Sequence, residues 1–268
     1  MPPSVDPETF PCEDTGSGPV LVAIHGWSLS GRWLLDALPA AVLAGRRALA
    51  PDLRGHGRSP DGGSFTLDEL ARDLVAALDA RSVERAVVLG WSLGAQVALA
   101  AMPRLRGRVT GLALVSATAR FTEDGSWPHG LPARTLAALA RQVERDPARA
   151  TAKFHDGMFL PDELDGAAAA RAVALRARTP LPSPAALRAG LDVLAGTDLR
   201  AALAAVDVPA LVVHGERDPI CLPEAGRALA AALPRAGLAI VAGAGHAPFL
   251  SRPGAFERAL APFLGACA

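Results

Sequence analysis

The pentapeptide GWSLG at residues 90–94 places Ser92 between two glycines. A serine hydroxyl attacks a carbonyl carbon when it is exposed on a tight turn, and small neighbours let the flanking elements approach each other. An apolar run at 86–89 precedes the motif, and a helix-forming run at 95–100 follows it. Because so short a motif also occurs by chance, the prediction depends on this position between a strand and a helix. We therefore predict that Ser92 is a nucleophile.

A serine nucleophile needs a general base, and the base needs a carboxylate that fixes its tautomer and orientation. On a parallel sheet with this strand-turn-helix motif, the chain order is serine, acid, histidine, and only His246 lies late enough to follow an acid on a later strand. We predict Asp218, in the loop after the apolar run at 210–213, as the acid. Glu216 in the same loop is the nearest alternative, and Glu123 or Asp124 is the second.

The tetrahedral intermediate of such an attack carries a negative oxygen that needs hydrogen-bond donors already in place. Leu93 follows the nucleophile directly and supplies one backbone N–H. We expect the second donor in the loop HGWSL at 25–29, after the first apolar run, and predict that it is Trp27. Three other histidines are expected to support loops by hydrogen bonding: His25, His56 and His214.

Short apolar runs predict the strands that position these residues. They lie at 20–24, 47–50, 86–89, 111–115, 210–213 and 238–241. Amphipathic segments lie between them, such as 66–80, where leucines mark one helical face and Thr66 can cap the start. This alternation predicts an α/β fold with a mostly parallel central sheet flanked by helices.

The alternation stops between 119 and 196, where prolines separate helical segments without a convincing strand. Ligands of such sheets bind beyond the carboxyl ends of the strands, so an insertion here would cover the site. We predict a core formed by 1–118 and 197–268, with 119–196 as an inserted helical cap.

The composition argues against several classes of function. Lys+Arg and Asp+Glu both number 27, which leaves no basic excess for a nucleic acid or an anionic membrane. The three cysteines are widely spaced, and the segment MPPSVDPETF at 1–10 lacks the features of a signal peptide, so we expect a cytoplasmic protein. The histidines are scattered and phosphate-binding glycine motifs are missing. We expect no metal and no cofactor, and a monomer.

Several motifs together resemble those of the α/β-hydrolase superfamily across nearly the whole chain. They are HGWSLSGRW at 25–33, DLRGHGRS at 52–59, GWSLG at 90–94, HGERD at 214–218 and GAGHAPFLSRP at 243–253. Two segments at the ends of the predicted cap, DGSWP at 124–128 and GLDVLAGTDLR at 190–200, are similar to those of pimeloyl-acyl-carrier-protein methyl ester esterases. The resemblance implies the α/β-hydrolase fold and a serine carboxylesterase of biotin biosynthesis with a Ser-His-Asp triad.

The same resemblance implies residues that bind the substrate. Trp27, Leu93 and His246 would surround the acyl group together with Phe154 in the cap. Phe154 and Met158 are four residues apart on a predicted helix, so both would face the acyl chain, with an ordinary core contact as the alternative. Basic cap residues of the family contact the acidic carrier protein, and the residues implied here are Arg149, Lys153, Arg171, Arg176 and Arg178.

Two other functions are compatible with these motifs. A broad-specificity carboxylesterase, lactonase or peroxidase-like relative would use the same triad on a different substrate, and only the cap would distinguish it. The second alternative is not an enzyme: a ligand-binding protein with the same fold and no catalytic activity. The presence of all three triad residues disfavours it.

Overall fold

The computed structural model describes residues 11–268, with a seven-stranded sheet at the centre. The strands are β1 Cys12–Gly16, β2 Val20–Ile24, β3 Arg47–Pro51, β4 Ala86–Trp91, β5 Val109–Val115, β6 Ala210–Gly215 and β7 Ala236–Val241. Their order is β1-β3-β2-β4-β5-β6-β7, and every neighbouring pair is parallel except β1 with β3. The predicted α/β fold with a mostly parallel sheet is confirmed. The segment 1–10, used above for the expectation about export, lies outside the described residues.

Helices cover both faces of the sheet. Outside the β5–β6 connection they are α1 Gly31–Ala37, α2 Ala40–Leu43, α3 Leu67–Asp79, α4 Leu93–Ala101, α9 Pro223–Ala232, α10 Pro248–Ser251 and α11 Pro253–Cys267. Side chains alternate along each strand, so Val88 belongs to the core under α3 and α4, whereas Val87 belongs to the core under α1 and α11. Thr66 caps α3 in a capping box with Glu69, as its sequence predicts.

Four helices lie between β5 and β6 in the chain: α5 Ala133–Arg145, α6 Pro147–Asp156, α7 Gly166–Ala177 and α8 Pro184–Gly196. They contact the core at several points. The indole Nε1 of Trp27 donates to the carbonyl oxygen of Leu187 on α8 at 2.9 Å, and Arg171 on α7 donates to the carbonyl oxygen of Asp36 on α1 at 2.6 Å. Across residues 11–268, none of the helices has the length and apolar character needed to span a membrane.

Candidate active site

Ser92 occupies the sharp turn between β4 and α4. Its backbone has φ 56° and ψ −118°, a conformation that non-glycine residues rarely adopt and that costs about 1–3 kcal/mol. The two glycines of the motif are required by close packing. A Cβ on Gly94 would lie 2.2 Å from the carbonyl oxygen of Ile24, and one on Gly90 would lie 2.6 Å from the Cα of Ala95. The two glycines therefore allow the strained turn that a nucleophilic serine needs at this position.

Asp218 and His246 are in direct contact. The Nδ1–H of His246 donates to Asp218 Oδ2 at 2.8 Å and lies 3.0 Å from Oδ1. The backbone N–H groups of Ile220 and Cys221 also donate to Oδ1, which fixes the carboxylate in its loop. Because Nδ1 is the donor, Nε2 is the ring atom that is able to accept a proton.

The environment of Asp218 keeps it ionised. Burial by itself would raise the pKa of this carboxyl group, but the charge of His246 and hydrogen bonds from His214 and His246 outweigh burial and hold the pKa well below its usual range. His214 is fully buried, with its Nε2 3.4 Å from Asp218 Oδ2 and 2.8 Å from the carbonyl oxygen of Cys221. An ionised carboxylate is what an imidazolium needs beside it.

The bond between Ser92 and His246 is not formed in this structure. His246 Nε2 is buried and has no hydrogen-bond partner among residues 11–268. The two residues are nevertheless neighbours through Trp91, whose ring centroid lies 5.6 Å from that of His246. Such catalytic hydrogen bonds are often long before substrate binds.

Trp27 and Leu93 lie on two sides of the serine turn. Gly26 packs so closely that a Cβ there would be 3.3 Å from the Cβ of Ser92. Among residues 11–268, no backbone acceptor is bonded to the N–H of Trp27 or of Leu93, as the predicted role of these two groups requires. On the cap side, the Trp27 ring meets the edge of Phe154 with centroids 4.8 Å apart.

The other histidines of these loops are neutral and hydrogen-bonded. His25 accepts from the N–H of Leu53 at Nε2 and donates from Nδ1 to Gly26, and burial lowers its pKa to about 4. His56 donates from Nδ1 to the carbonyl oxygen of Arg54, and burial lowers its pKa to about 3. These contacts agree with the predicted role in supporting loops.

The alternative acids lie apart from His246. Glu216 is exposed and accepts from the N–H of Gly243 at 2.9 Å. Asp124 is exposed and accepts from Ser126, and Glu123 is exposed in the same turn. Asp218 is thus the acid that the structure brings to His246.

The prediction that Phe154 and Met158 share a helix is wrong. Helix α6 ends at Asp156, and Gly157, a poor helix former, is its C-cap and makes the last helical bond, to the carbonyl oxygen of Lys153. The N–H of Met158 then bonds to the carbonyl oxygen of His155 in a tighter turn. Phe154 remains on the helix against Trp27, whereas Met158 lies beyond it and accepts from the N–H of His246 at 2.9 Å. The two side chains therefore do not form one helical face.

The predicted triad is almost closed to solvent, with Ser92 7% and His246 1% exposed. A largely apolar cavity of about 460 Å³, the cap cavity, lies between the α6–α7 connection and the core, and none of Ser92, Asp218 and His246 lines it. Its walls include Leu29, Trp33, Met158, Phe159 and Leu250. Met158 thus reaches both the cavity, by its side chain, and the histidine loop, by its backbone.

The five basic cap residues differ in what they contact. Arg176 pairs with Asp156 at 2.6 Å, Arg178 pairs with Asp36 at 3.3 Å, and Arg171 donates to backbone oxygens at the end of α1. The remaining two are Arg149 and Lys153. Both are exposed on α6 and form no ion pair within residues 11–268.

Glu163 is a site residue that the sequence did not indicate. It is 3% exposed, and its Oε1 accepts from the N–H of Gly245, next to His246, at 2.7 Å. An acid in a loop segment that matches no motif gives no signal in the sequence, so only the three-dimensional contact identifies it.

Comparisons with known proteins agree with this geometry. The sequence profile of the α/β hydrolase family matches residues 21–259. A pimeloyl-[acyl-carrier protein] methyl ester esterase from Nitrosomonas europaea is 36% identical over 250 residues, which cover 91% of this chain and 95% of that protein. A protein of the same name from Xanthomonas oryzae pv. oryzae is 37% identical over 255 residues, covering 93% and 96%. The structure of an esterase from Exiguobacterium antarcticum has a TM-score of 0.86 at 23% identity, covering 95% of this chain and 94% of that one, and shows the shared fold.

Proposed function

Since this chain belongs to the α/β hydrolase family and is a carboxylic ester hydrolase, we propose that it hydrolyses the methyl ester of a pimeloyl group on an acyl-carrier protein, in biotin biosynthesis. Ser92 is the nucleophile, His246 the base and Asp218 the acid in this proposal. The observation that carries it is the Nδ1–H bond from His246 to Asp218, because this bond leaves Nε2 as the proton acceptor beside the serine turn.

The first half-reaction forms an acyl-enzyme. Ser92 Oγ attacks the ester carbonyl carbon while its proton passes to His246 Nε2, and Asp218 stabilises the resulting imidazolium. The backbone N–H groups of Trp27 and Leu93 donate to the oxyanion. Collapse of the intermediate breaks the bond to methoxide, which leaves as methanol with the proton from His246.

The second half-reaction releases the acid. A water molecule gives its proton to His246 Nε2 and attacks the acyl carbon, and Ser92 leaves with that proton restored. The product carries a free carboxylate on the pimeloyl chain. Since it no longer has a methyl ester, it is not a substrate for another turnover.

We assign the predicted cap, 119–196, the task of covering this chemistry. Phe154 lies on the Trp27 ring, and Met158 lines the cap cavity, so these two residues support binding of the apolar acyl chain from different directions. The cavity is lined largely by apolar side chains, which suits methylene groups.

The carrier protein is proposed to dock on α6. Arg149 and Lys153 are exposed and without ion pairs in the described chain, so both are free to meet acidic side chains. Arg171, Arg176 and Arg178 already bond to the chain itself and contribute positive potential around the docking site.

The three unpaired cysteines are compatible with a cytoplasmic enzyme.

The test is hydrolysis of purified pimeloyl-acyl-carrier-protein methyl ester, followed by mass spectrometry, with p-nitrophenyl butyrate as a small substrate. We expect turnover of both, and Ser92→Ala should abolish both. Turnover of the small ester alone would contradict the proposal and indicate a broad-specificity carboxylesterase. Failure with both esters, together with no labelling of Ser92 by a fluorophosphonate, would indicate a ligand-binding protein.

A further inference from the structure

The segment 158–163, which we call the cap strap, holds the backbone of the histidine loop. The carbonyl oxygen of Met158 accepts from the N–H of His246 at 2.9 Å. Glu163 Oε1 accepts from the N–H of Gly245 at 2.7 Å, and its Oε2 accepts from the N–H of Leu160 at 2.9 Å. Two consecutive peptide groups of the loop that carries the base are therefore bound by the cap.

The contact leaves no free space. A Cβ on Gly245 would lie 2.5 Å from the carbonyl oxygen of Met158 and 2.7 Å from Glu163 Oε2. The glycine thus permits the strap to approach the loop, and a displacement of the strap would move the loop with it.

The carboxyl group of Glu163 is in an unfavourable place for stability alone. It is 3% exposed and forms no ion pair within the described residues. Burial of a carboxyl group is costly unless its oxygens are paired or hydrogen-bonded, so a buried carboxyl group is held in the geometry of its partners. Here the oxygens of Glu163 are used entirely on backbone N–H groups of the strap and of the histidine loop.

We propose that Glu163 is a positioning residue for His246, through which the seating of the cap sets the geometry of the base. The inference rests on the proposed function, since it assigns Glu163 to the reaction at Ser92. With the strap in place, the Gly245 peptide is held and the His246 ring is directed at Asp218. Without Glu163, the cap side of the loop loses a bond and the His246–Asp218 contact loosens.

Glu163→Met tests the proposal because it keeps the volume and removes both acceptors. We expect kcat for p-nitrophenyl butyrate to fall about 10- to 100-fold with KM within about 2-fold, since misplacing a catalytic group by about 1 Å costs up to about 100-fold. Glu163→Gln retains an acceptor for Gly245 and should restore kcat to within about 5-fold of wild type. Asp162→Asn is the matched control. It changes the exposed acid immediately before Glu163, leaves the bonds from Glu163 to the loop in place, and should match wild type.

A spectroscopic readout makes the test independent of turnover. The proton that His246 Nδ1 shares with the Asp218 carboxylate gives a far-downfield proton resonance, and this signal should be lost in Glu163→Met and kept in Glu163→Gln and Asp162→Asn. If wild type shows the signal but hydrolyses no ester, the proposed function fails while the positioning role is still measurable from the signal.

Gly245→Ala is the second variant, needed if Glu163→Met does not fold. It leaves Glu163 in place and inserts a methyl group into the same contact. We expect the same loss of kcat and of the downfield signal. A folded Glu163→Met or Gly245→Ala protein with wild-type kcat, or with reduced kcat and an unchanged signal, would overturn the proposal.

Discussion

The indole Nε1–H of Trp91 donates a 2.9 Å hydrogen bond to the carbonyl oxygen of His246. Trp91 immediately precedes Ser92, so this bond ties the serine turn to the histidine loop across the carboxyl edge of the sheet. The bond is fully buried and is one of the contacts that fix the position of His246 relative to Ser92.

Trp91→Phe should lower kcat about 10-fold with a stability loss of about 1–3 kcal/mol, because it keeps a ring but leaves a buried carbonyl unpaired. Esterase kinetics and urea unfolding measure the two effects. Trp33→Phe is the control: Trp33 stacks on Trp91 with ring centroids 5.3 Å apart, and its own Nε1 has no hydrogen-bond partner among residues 11–268. Equal loss of kcat in the two variants would show that ring volume, and not the hydrogen bond, matters.

Gly190→Ala on α8 should reduce kcat/KM about 10-fold and destabilise the protein by about 1–3 kcal/mol. In a helix this change normally stabilises, but here the new Cβ would lie 2.6 Å from Cδ1 of Trp27 and displace the loop that carries Trp27. Gly196→Ala, at the end of the same helix, meets nothing within 4 Å and should stay within about 0.5 kcal/mol of wild type with full activity. Full activity in Gly190→Ala would mean that the loop of Trp27 tolerates displacement.

The free energy of unfolding should decrease as pH falls from about 6.5 towards 3. Burial lowers the pKa of His25 to about 4 and of His56 to about 3, against an ordinary 6.5, so the unfolded chain binds protons in this window that the folded chain does not. Each such group contributes a slope of up to about 1.4 kcal/mol per pH unit. Asp218 acts in the same direction below about 4, because its pKa is lowered in the folded state and its stabilisation is lost on protonation.

Urea unfolding at a series of pH values checks this expectation. His56→Asn keeps a donor near the carbonyl oxygen of Arg54 and cannot titrate, so its stability should depend less steeply on pH between 6.5 and 3. An unchanged slope in this variant would show that His56 protonates equally in the folded and unfolded chains.

Charge reversal on α6 should impair docking of the carrier protein. We expect Arg149→Glu with Lys153→Glu to raise KM for the carrier-bound ester about 10-fold at low salt, and to leave p-nitrophenyl butyrate kinetics unchanged. The effect should diminish as salt is added. The matched control is Arg85→Glu with Arg106→Glu. These two exposed arginines lie just before the amino ends of β4 and β5. Equal KM values for the two double variants would place the docking site elsewhere.

The sequence predicts the strands that are apolar runs. Strands β2 to β6 are apolar because helices cover both faces of the sheet, and the edge strand β7 is apolar although its Leu238 is 39% exposed. Each of these six strands was predicted to within two residues. Strand β1, Cys12–Gly16, was missed because it is an exposed antiparallel edge with the polar sequence CEDTG, which shows no apolar run. Strand β1 is ordered by backbone pairing with β3, which its polar sequence does not indicate.

In the candidate site, too, some contacts were predictable from the sequence and others were not. The contact between Asp218 and His246 was predictable because chain order and the ends of two strands determine it. The contact between Glu163 and Gly245 was not, because it joins residues 82 positions apart through loops that have no periodicity. The end of α6 was misplaced because helical spacing continued through Gly157, where the chain turns.

The packing of Gly190 on the ring of Trp27 has a consequence for how such proteins diversify. A cap is often regarded as an interchangeable part that sets specificity over a constant catalytic core. Here Gly190, on a helix of the predicted cap, packs on the ring of Trp27, so a transplanted cap would have to bring a small residue to this position. Exchange of caps between homologues should therefore succeed only where both sides of this contact have evolved together.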